Sequence, residues 1–127
     1  MPKKLRIRGI VTSGMGRGSY YVSLPQYRKF FESLLGQRVF EGTLNIKLRN
    51  ARWYDIGLER NKYTPPDGHG VIYYALAFFR GEKILLIRPA RSVHGDDVVE
   101  IVARNNLRAK YNLKDGETIT IELEAEK

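Results

Sequence analysis

Residues 71–88, VIYYALAFFRGEKILLIR, decide how this chain folds. Two apolar runs, 71–79 and 84–88, flank the polar segment Arg80–Lys83, which contains a glycine. Apolar runs of this length around a short glycine-containing turn predict a β-hairpin. The rest of the chain is therefore expected to assemble around paired strands.

Apolar and polar residues alternate in other segments as well. In residues 5–12 the arginines Arg6 and Arg8 fall on one face, and the opposite face carries Leu5, Ile7, Gly9 and Val11. This two-residue period predicts a strand. Further strands are predicted over 20–24, 39–48 and 117–123. Residues 98–103 can form a strand or a helix, and their β-branched residues favour a strand.

Helical signals are fewer. Apolar residues recur at helical spacing within 25–35, Pro25 suits a first turn, and Gly36 suits a helix end. Asn105 is predicted to cap a short helix over 106–112. Residues 49–70 are predicted to be irregular because they are rich in loop-forming residues.

Six or seven strands with turns between them predict a mainly β fold. A small closed barrel, with one amphipathic helix and one short helix, leaves no exposed sheet edges. A doubly wound fold is disfavoured because regular helices do not separate the strands. With 127 residues, the chain is expected to form a single domain, residues 1–127.

Composition narrows the range of chemistry. The chain has no cysteine, which excludes disulfides, thiolate metal sites and cysteine nucleophiles. The start, MPKKLRIRGI, lacks the apolar run of a signal peptide, and no apolar stretch approaches the length of a membrane span. A cytoplasmic protein without a membrane partner is expected.

Positive charge is concentrated in the first part of the sequence. The net charge is +8, and residues 1–50 hold ten basic and two acidic side chains, whereas residues 51–127 hold twelve of each. This asymmetry predicts a polyanionic partner, either nucleic acid or the phosphates of a nucleotide. The net charge does not distinguish nucleic acid from a nucleotide. A positive charge can also increase solubility without any anionic partner.

Glycines alternate in one loop, at Gly14, Gly16 and Gly18. Glycine allows the backbone to approach a ligand closely, and successive N–H groups can then surround a phosphate. Arg17 and Ser19 favour this interpretation over a flexible hairpin turn. Because a strand is expected to follow the loop, the dinucleotide-binding fingerprint is excluded.

The segment Glu41–Asn45 contains a candidate metal site. Residues two apart on a strand share a face, so the Thr43 hydroxyl and the Asn45 carboxamide would converge. Neutral oxygens at this spacing suit a hydrated Mg²⁺ that also bridges phosphates. The alternative is an ordinary polar outer face of a strand.

Two further candidates lie near the end of the chain. Glu100 is placed mid-strand among apolar residues, where a carboxylate is paired, solvated or a general base. Residues 105–108 would offer helix N–H groups and an arginine to a phosphate, or they form an ordinary capped helix.

Taken in order, these motifs resemble the archaeal CTP-dependent riboflavin kinases. The resemblance covers essentially the whole chain, and it rests on the spacing of several short motifs rather than on any one. They are Gly9-x-x-x-Ser13-Gly14-x-Gly16-x-Gly18-x-Tyr20, Ser23-Leu24-Pro25-x-Tyr27, Leu35-Gly36, Glu41-Gly42-Thr43-Leu44-Asn45-Ile46-x-Leu48, Glu100–Ala103, Asn106-Leu107-Arg108 and Leu113–Glu117.

The resemblance implies a six-stranded cradle-loop barrel that transfers the γ-phosphate of CTP to the ribityl 5′-hydroxyl of riboflavin, giving FMN and CDP. It implies Mg²⁺ at Thr43 and Asn45, and flavin contacts at Ser92 and Glu100. Glu100 is also the candidate base. The nucleotide would lie against Gly14, Met15, Gly16, Arg17, Gly18, Ser19, Asn105, Asn106, Leu107 and Arg108.

Two other functions compete with the kinase. Residues 107–123, LRAKYNLKDGETITIEL, also resemble the AbrB-type swapped-hairpin transcription factors, which would make the protein a DNA binder. The basic excess of residues 1–50 lies away from that stretch, so a nucleic-acid partner is disfavoured. A flavin or nucleotide carrier without catalysis is the third hypothesis. A monomer is expected.

Overall fold

The computed structural model describes residues 3–13, 18–66, 70–92 and 94–125. These residues form seven strands, three α-helices and one short 3₁₀ helix, Leu58–Arg60. In chain order the strands and α-helices are β1 (Lys3–Thr12), α1 (Gly18–Ser23), α2 (Pro25–Leu35), β2 (Leu44–Leu48), β3 (Lys62–Tyr63), β4 (Ile72–Phe79), β5 (Glu82–Pro89), β6 (Val98–Val102), α3 (Leu107–Lys110) and β7 (Thr118–Ala125).

Six of the strands close into an antiparallel barrel. The order in the sheet is β3-β4-β5-β6-β2-β1-β7, and β4 also pairs with β7 through Ala77–Leu123 and Phe78–Glu122. The short strand β3 pairs with the first residues of β4 and is the one strand outside the ring. The predicted mainly β, closed six-stranded barrel is confirmed.

The segment that decided the fold forms the β4–β5 hairpin. Its register runs from Ile72–Pro89 to Phe79–Glu82, so only Arg80 and Gly81 form the turn. Both have positive φ, 51° and 80°. Two such residues form the tight turn whose twist matches that of paired strands.

Two apolar layers stabilise the barrel. The interior is filled by alternate side chains of all six barrel strands, among them Val11, Ile46, Leu86, Ile101 and Ile121. A second cluster lies outside, where α1 and α2 cover β5 and β6, and it includes Val22, Tyr27, Phe31, Leu85 and Val102. Alternation along β5 and β6 supplies both layers, which explains why these strands carry apolar side chains on both faces.

The amphipathic helix is confirmed as α2, residues Pro25–Leu35. Gly36 ends it in the left-handed conformation, with φ 71°, and its N–H donates to the Glu32 carbonyl. Glycine adopts this conformation without the steric penalty that a Cβ would bring.

The strand predicted over 20–24 is wrong, because Gly18–Ser23 forms helix α1. The adjacent residues Tyr21 and Val22 are both buried, whereas Tyr20 and Ser23 are exposed. A strand would point Tyr21 and Val22 to opposite faces, so the packing of α1 against β5 and β6 overrides their β propensity.

Two other segments differ from the prediction in extent. The strand predicted over 39–48 is confined to Leu44–Leu48, and Phe40 is tied to the barrel by its N–H, which donates to the Ala103 carbonyl at 2.8 Å. Residues 49–70, predicted to be irregular, include the 3₁₀ helix and β3.

Gly9 allows β1 to approach β2 closely, which yields a stability prediction. A Cβ built at Gly9 would lie 2.0 Å from Ile46 Cγ2 and 3.3 Å from the Lys47 carbonyl oxygen. Gly9→Ala is expected to lower the free energy of unfolding by about 1–3 kcal/mol, because the strands must separate. Denaturant unfolding measures this, with the exposed change Arg38→Ala as the control. Equal stability of the two variants would contradict the close approach.

Candidate active site

Three polar residues form a row across the outer face of β1, β2 and β6. The β-ladders pair Thr12 with Asn45, and Asn45 with Glu100. Asn45 is 5% exposed and Glu100 is 2% exposed, although the other buried residues of β2 and β6 are apolar. Polar side chains in such positions need polar partners, which makes the row a candidate site.

Thr43, the residue immediately before β2, contacts this row. Its hydroxyl donates a hydrogen bond to Glu100 Oε1 at 2.7 Å. The strand pairing of Asn45 with Glu100 and this hydrogen bond bring Thr43, Asn45 and Glu100 together. The sequence predicted the convergence of Thr43 and Asn45, but it treated Glu100 separately.

The atoms in this cluster suit a hard cation only when other ligands contribute. Hydroxyl, carboxamide and carboxylate oxygens are the ligands that Mg²⁺ prefers, and it usually keeps waters and binds substrate phosphates too. Among the described residues there is no group of three or more His, Cys, Asp or Glu side chains suited to hold a metal alone. Thr43 and Asn45 therefore fit a metal only as part of a larger ligand set.

Arg108 lies beside the end of β1, next to this row. Its guanidinium forms an ion pair with Asp115 at 2.9 Å and approaches the Thr12 carbonyl at 3.4 Å. Asp115 also accepts a hydrogen bond from the Ser13 hydroxyl. The Ser13 hydroxyl, followed by Arg108, lowers the pKa of the Asp115 carboxyl. Arg108 thus lies where β1 leads into the glycine-rich loop.

That loop falls largely outside the described residues. Gly14, Met15, Gly16 and Arg17 are not among them, and Gly18 and Ser19 begin helix α1. The expectation that a strand follows the loop is wrong, so it does not exclude a dinucleotide-binding fingerprint. The connectivity does exclude it, because β1 pairs antiparallel with β2 and no parallel βαβ unit forms there.

Asn105 does not cap α3 as predicted. The cap is Asn106, whose Oδ1 accepts from the Ala109 N–H at 3.2 Å. Asn105 instead donates from its side-chain amide to Glu82 at 3.1 Å. Asn106 has the extended backbone that a cap requires, with φ −71° and ψ 96°.

Glu82 connects the β4–β5 hairpin to the segment that contains α3. Besides Asn105, its carboxylate binds Lys110 and accepts from the Tyr111 hydroxyl at 3.0 Å. The hydrogen bond from Lys110 is the largest cause that lowers the pKa of Glu82. This network holds residues 105–111 against the barrel.

The four residues 105–108 therefore differ in what they offer a ligand. Leu107 is buried in the barrel interior, Asn106 caps the helix, and Asn105 binds Glu82. Arg108 is cationic and its side chain is 39% exposed. Of these four side chains, that of Arg108 is best suited to bind a phosphate.

Ser92 lies in the loop between β5 and β6, beyond the Val98 end of β6. Its hydroxyl accepts from the His94 N–H at 3.1 Å. Arg88, which is 7% exposed, anchors the same loop by donating to the carbonyls of Gly95 at 2.6 Å and Val98 at 2.8 Å. Burial is the largest influence on the pKa of Arg88 and lowers it.

The candidate site thus follows the outer face of the barrel. Arg108 lies at one end, where β1 finishes, Glu100 lies in the middle, and the loop with Ser92 lies beyond the start of β6. The structure brings Thr43, Asn45 and Glu100 into one cluster and places Arg108 beside Thr12, the partner of Asn45 in β1. Ser92 is not in contact with that cluster through any described hydrogen bond.

Sequence reasoning assigned no role to Glu82, Arg88 or Asp115. Asp115 and Glu82 stand in turn-like segments of the sequence, where an acidic residue is common. Their partners are far away in the chain: Ser13 is 102 residues from Asp115, and Lys110 is 28 residues from Glu82. Arg88 is the last residue of the apolar run 84–88. An arginine at the end of such a run is the one sequence feature that could have indicated a buried, hydrogen-bonded guanidinium.

The Glu82 network gives a pH-dependent prediction. Because the folded-state pKa of Glu82 is lowered from 4.5, its contribution to stability is present above that value and is lost as the pH falls through the folded pKa. Glu82→Gln is therefore expected to destabilise the protein near neutral pH and to differ less from the wild type in acid. Thermal unfolding across pH measures this, with exposed Glu59→Gln as the control. A pH-independent difference would contradict it.

No helix in the described part of the chain is long and apolar enough to cross a membrane.

A family model for CTP-dependent riboflavin kinases, described as domain of unknown function DUF120, matches residues 11–123.

Known proteins named riboflavin kinase align with nearly the whole chain. That of Methanobrevibacter smithii is 31% identical over 93% of this chain and 99% of its own length. Those of Methanospirillum hungatei and Pyrobaculum aerophilum are 34% and 38% identical over 95% and 94% of this chain. The chain spans only 58% and 60% of the length of these last two. The chain belongs to the CTP-dependent riboflavin kinase family.

Proposed function

We propose that this protein is a CTP-dependent riboflavin kinase that transfers the γ-phosphate of CTP to the ribityl 5′-hydroxyl of riboflavin. The observation that carries this proposal is the cluster of Thr43, Asn45 and Glu100, with Arg108 at the adjacent end of β1, where the glycine-rich loop begins. Metal ligands, an arginine and a loop suited to phosphate are the parts that phosphoryl transfer requires.

The nucleotide is proposed to bind between the loop Gly14–Ser19 and the segment Asn105–Arg108. Arg108 and the Ser13 side chain share Asp115, so the start of the loop and this segment lie together in the fold. Arg108 would neutralise phosphate charge, and the Glu82 network would hold the segment rigid while it does so.

Thr43 and Asn45 are proposed to hold Mg²⁺ together with the phosphates of CTP. The ion would neutralise charge on the transferring phosphoryl group and orient it. Both side chains are fixed by the barrel, Asn45 by its position in β2 and Thr43 by its hydrogen bond to Glu100. A fixed ligand pair avoids the cost of ordering it when substrate binds.

Ser92 and Glu100 are proposed to contact the flavin. The chain between them forms the β5–β6 loop and the start of β6, which Arg88 holds in place. In the reaction, the 5′-hydroxyl oxygen bonds to the γ-phosphorus, the bond from phosphorus to the β-phosphate oxygen breaks, and CDP leaves. The hydroxyl proton must be removed, and Glu100 is the candidate base.

A product assay tests the function. The protein is incubated with riboflavin and Mg²⁺ and with CTP, ATP, GTP or UTP, and FMN is followed by chromatography. We expect FMN with CTP well above the yield with ATP. FMN from every triphosphate would overturn the CTP preference alone. Flavin and nucleotide binding without FMN would indicate a carrier, and DNA binding that weakens steeply with salt would indicate a DNA binder.

Arg108 provides a quantitative prediction for the nucleotide site. Arg108→Gln removes a charged hydrogen-bond donor, and such bonds contribute about 1.5–3 kcal/mol, or about 10- to 100-fold in affinity. The KM for CTP should rise by about that factor, while the KM for riboflavin changes little. Exposed Arg104→Gln is the control, because it removes the same charge a few residues away. A rise in both KM values would indicate a general structural defect instead.

A further inference from the structure

We propose that Glu100 is a positioning residue for the metal site, which holds the Thr43 hydroxyl so that its oxygen faces a cation. The inference rests on the proposed function, because it concerns the site where Mg²⁺ would bind with CTP. It assigns to Glu100 a role different from those of flavin contact and general base.

The donor and acceptor chemistry of one hydrogen bond supports this role. A threonine hydroxyl has one proton and two lone pairs, whereas an ionised carboxylate can only accept. The 2.7 Å bond from Thr43 Oγ1 to Glu100 Oε1 therefore directs the hydroxyl proton toward the carboxylate. The lone pairs of Thr43 then point away from Glu100, toward the side on which a metal ion would bind.

Glu100 is itself held firmly, which a positioning residue requires. It lies in the middle of β6, between β2 and β5, in register with Asn45 on one side and Ile87 on the other. It is 2% exposed, and Arg88 interacts with it electrostatically. The carboxylate thus has a fixed place from which to orient Thr43.

The same contact explains why Thr43 can be a defined ligand although it lies outside β2. The residues that precede β2 have no regular structure between Arg38 and Thr43, so the strand ladder alone does not fix this side chain. The hydrogen bond to Glu100 adds a constraint on its side chain. Outer partners of this kind orient metal ligands, and their loss typically costs about 10- to 100-fold in metal affinity.

Two uncharged replacements separate orientation from charge. Glu100→Gln and Glu100→Leu both remove the negative charge, and their side chains are similar in size. Glutamine keeps a carbonyl oxygen that can accept from Thr43, whereas leucine cannot accept. The difference between these two variants therefore reports the hydrogen bond to Thr43 and not the lost carboxylate charge.

The measurement is Mn²⁺ binding to the whole protein in the presence of CDP and without riboflavin, followed by electron paramagnetic resonance. We expect the apparent Kd for Mn²⁺ to be about tenfold or more higher for Glu100→Leu than for Glu100→Gln. In a Thr43→Val background, that difference should disappear, because the hydroxyl through which Glu100 acts is gone. Neither a base nor a flavin contact predicts this pattern.

Controls keep the result interpretable. Glu122→Gln, on the outer face of β7, removes a strand carboxylate elsewhere and should leave Mn²⁺ binding unchanged. Unfolding curves establish that each variant is folded, and Glu100→Met, a more adaptable apolar side chain, replaces Glu100→Leu if leucine prevents folding.

Two different failures can be told apart. Equal Mn²⁺ affinities of Glu100→Gln and Glu100→Leu, with tight binding by the wild type, would overturn the positioning role and leave the kinase proposal intact. If the wild type with CDP binds Mn²⁺ no better than CDP alone, the metal site itself fails, and the positioning role fails with it.

Discussion

The pairing of β4 with β7 closes the barrel, and both the buried interior and the site on the outer face require this closure. Only Ala77–Leu123 and Phe78–Glu122 form this pairing, yet it joins the hairpin β4–β5 to the last strand of the chain. Once the ring is closed, alternate residues of all six strands are buried inside it. The outer face is then free for helices and for a site.

The outer face has two parts with different chemistry. Over β5 and part of β6, the helices α1 and α2 bury an apolar layer. On the neighbouring strands β6, β2 and β1, the same face carries Glu100, Asn45 and Thr12, in that order. The buried polar row therefore borders a layer of buried apolar side chains. Phosphoryl transfer depends on positioning and on fixed charges, so a site backed by packed side chains suits it.

Charged side chains connect loops that are distant in sequence. Asp115 binds both Ser13 and Arg108. Glu82, at the β4–β5 hairpin, binds Asn105 and Lys110. Arg88 donates hydrogen bonds to carbonyl groups of the β5–β6 loop. Each connection holds a segment that the resemblance assigns to substrate binding. None of these three residues would contact substrate in the proposed function, so their part is to keep the loops in place around it.

Local sequence patterns are enough to predict the strand character of 71–88, the inward face of β1, the helix 25–35 and the residue types of the site. Those features follow from local periodicity and from the special conformations of glycine and proline. The same patterns misassigned residues 20–24, because the burial of both Tyr21 and Val22 depends on the surface beneath them and not on their own propensity. The meeting of Thr43, Asn45 and Glu100, and the position of Arg108 at the end of β1, follow from tertiary contacts. Strand register and barrel closure join residues far apart in the chain, and no local pattern encodes such contacts.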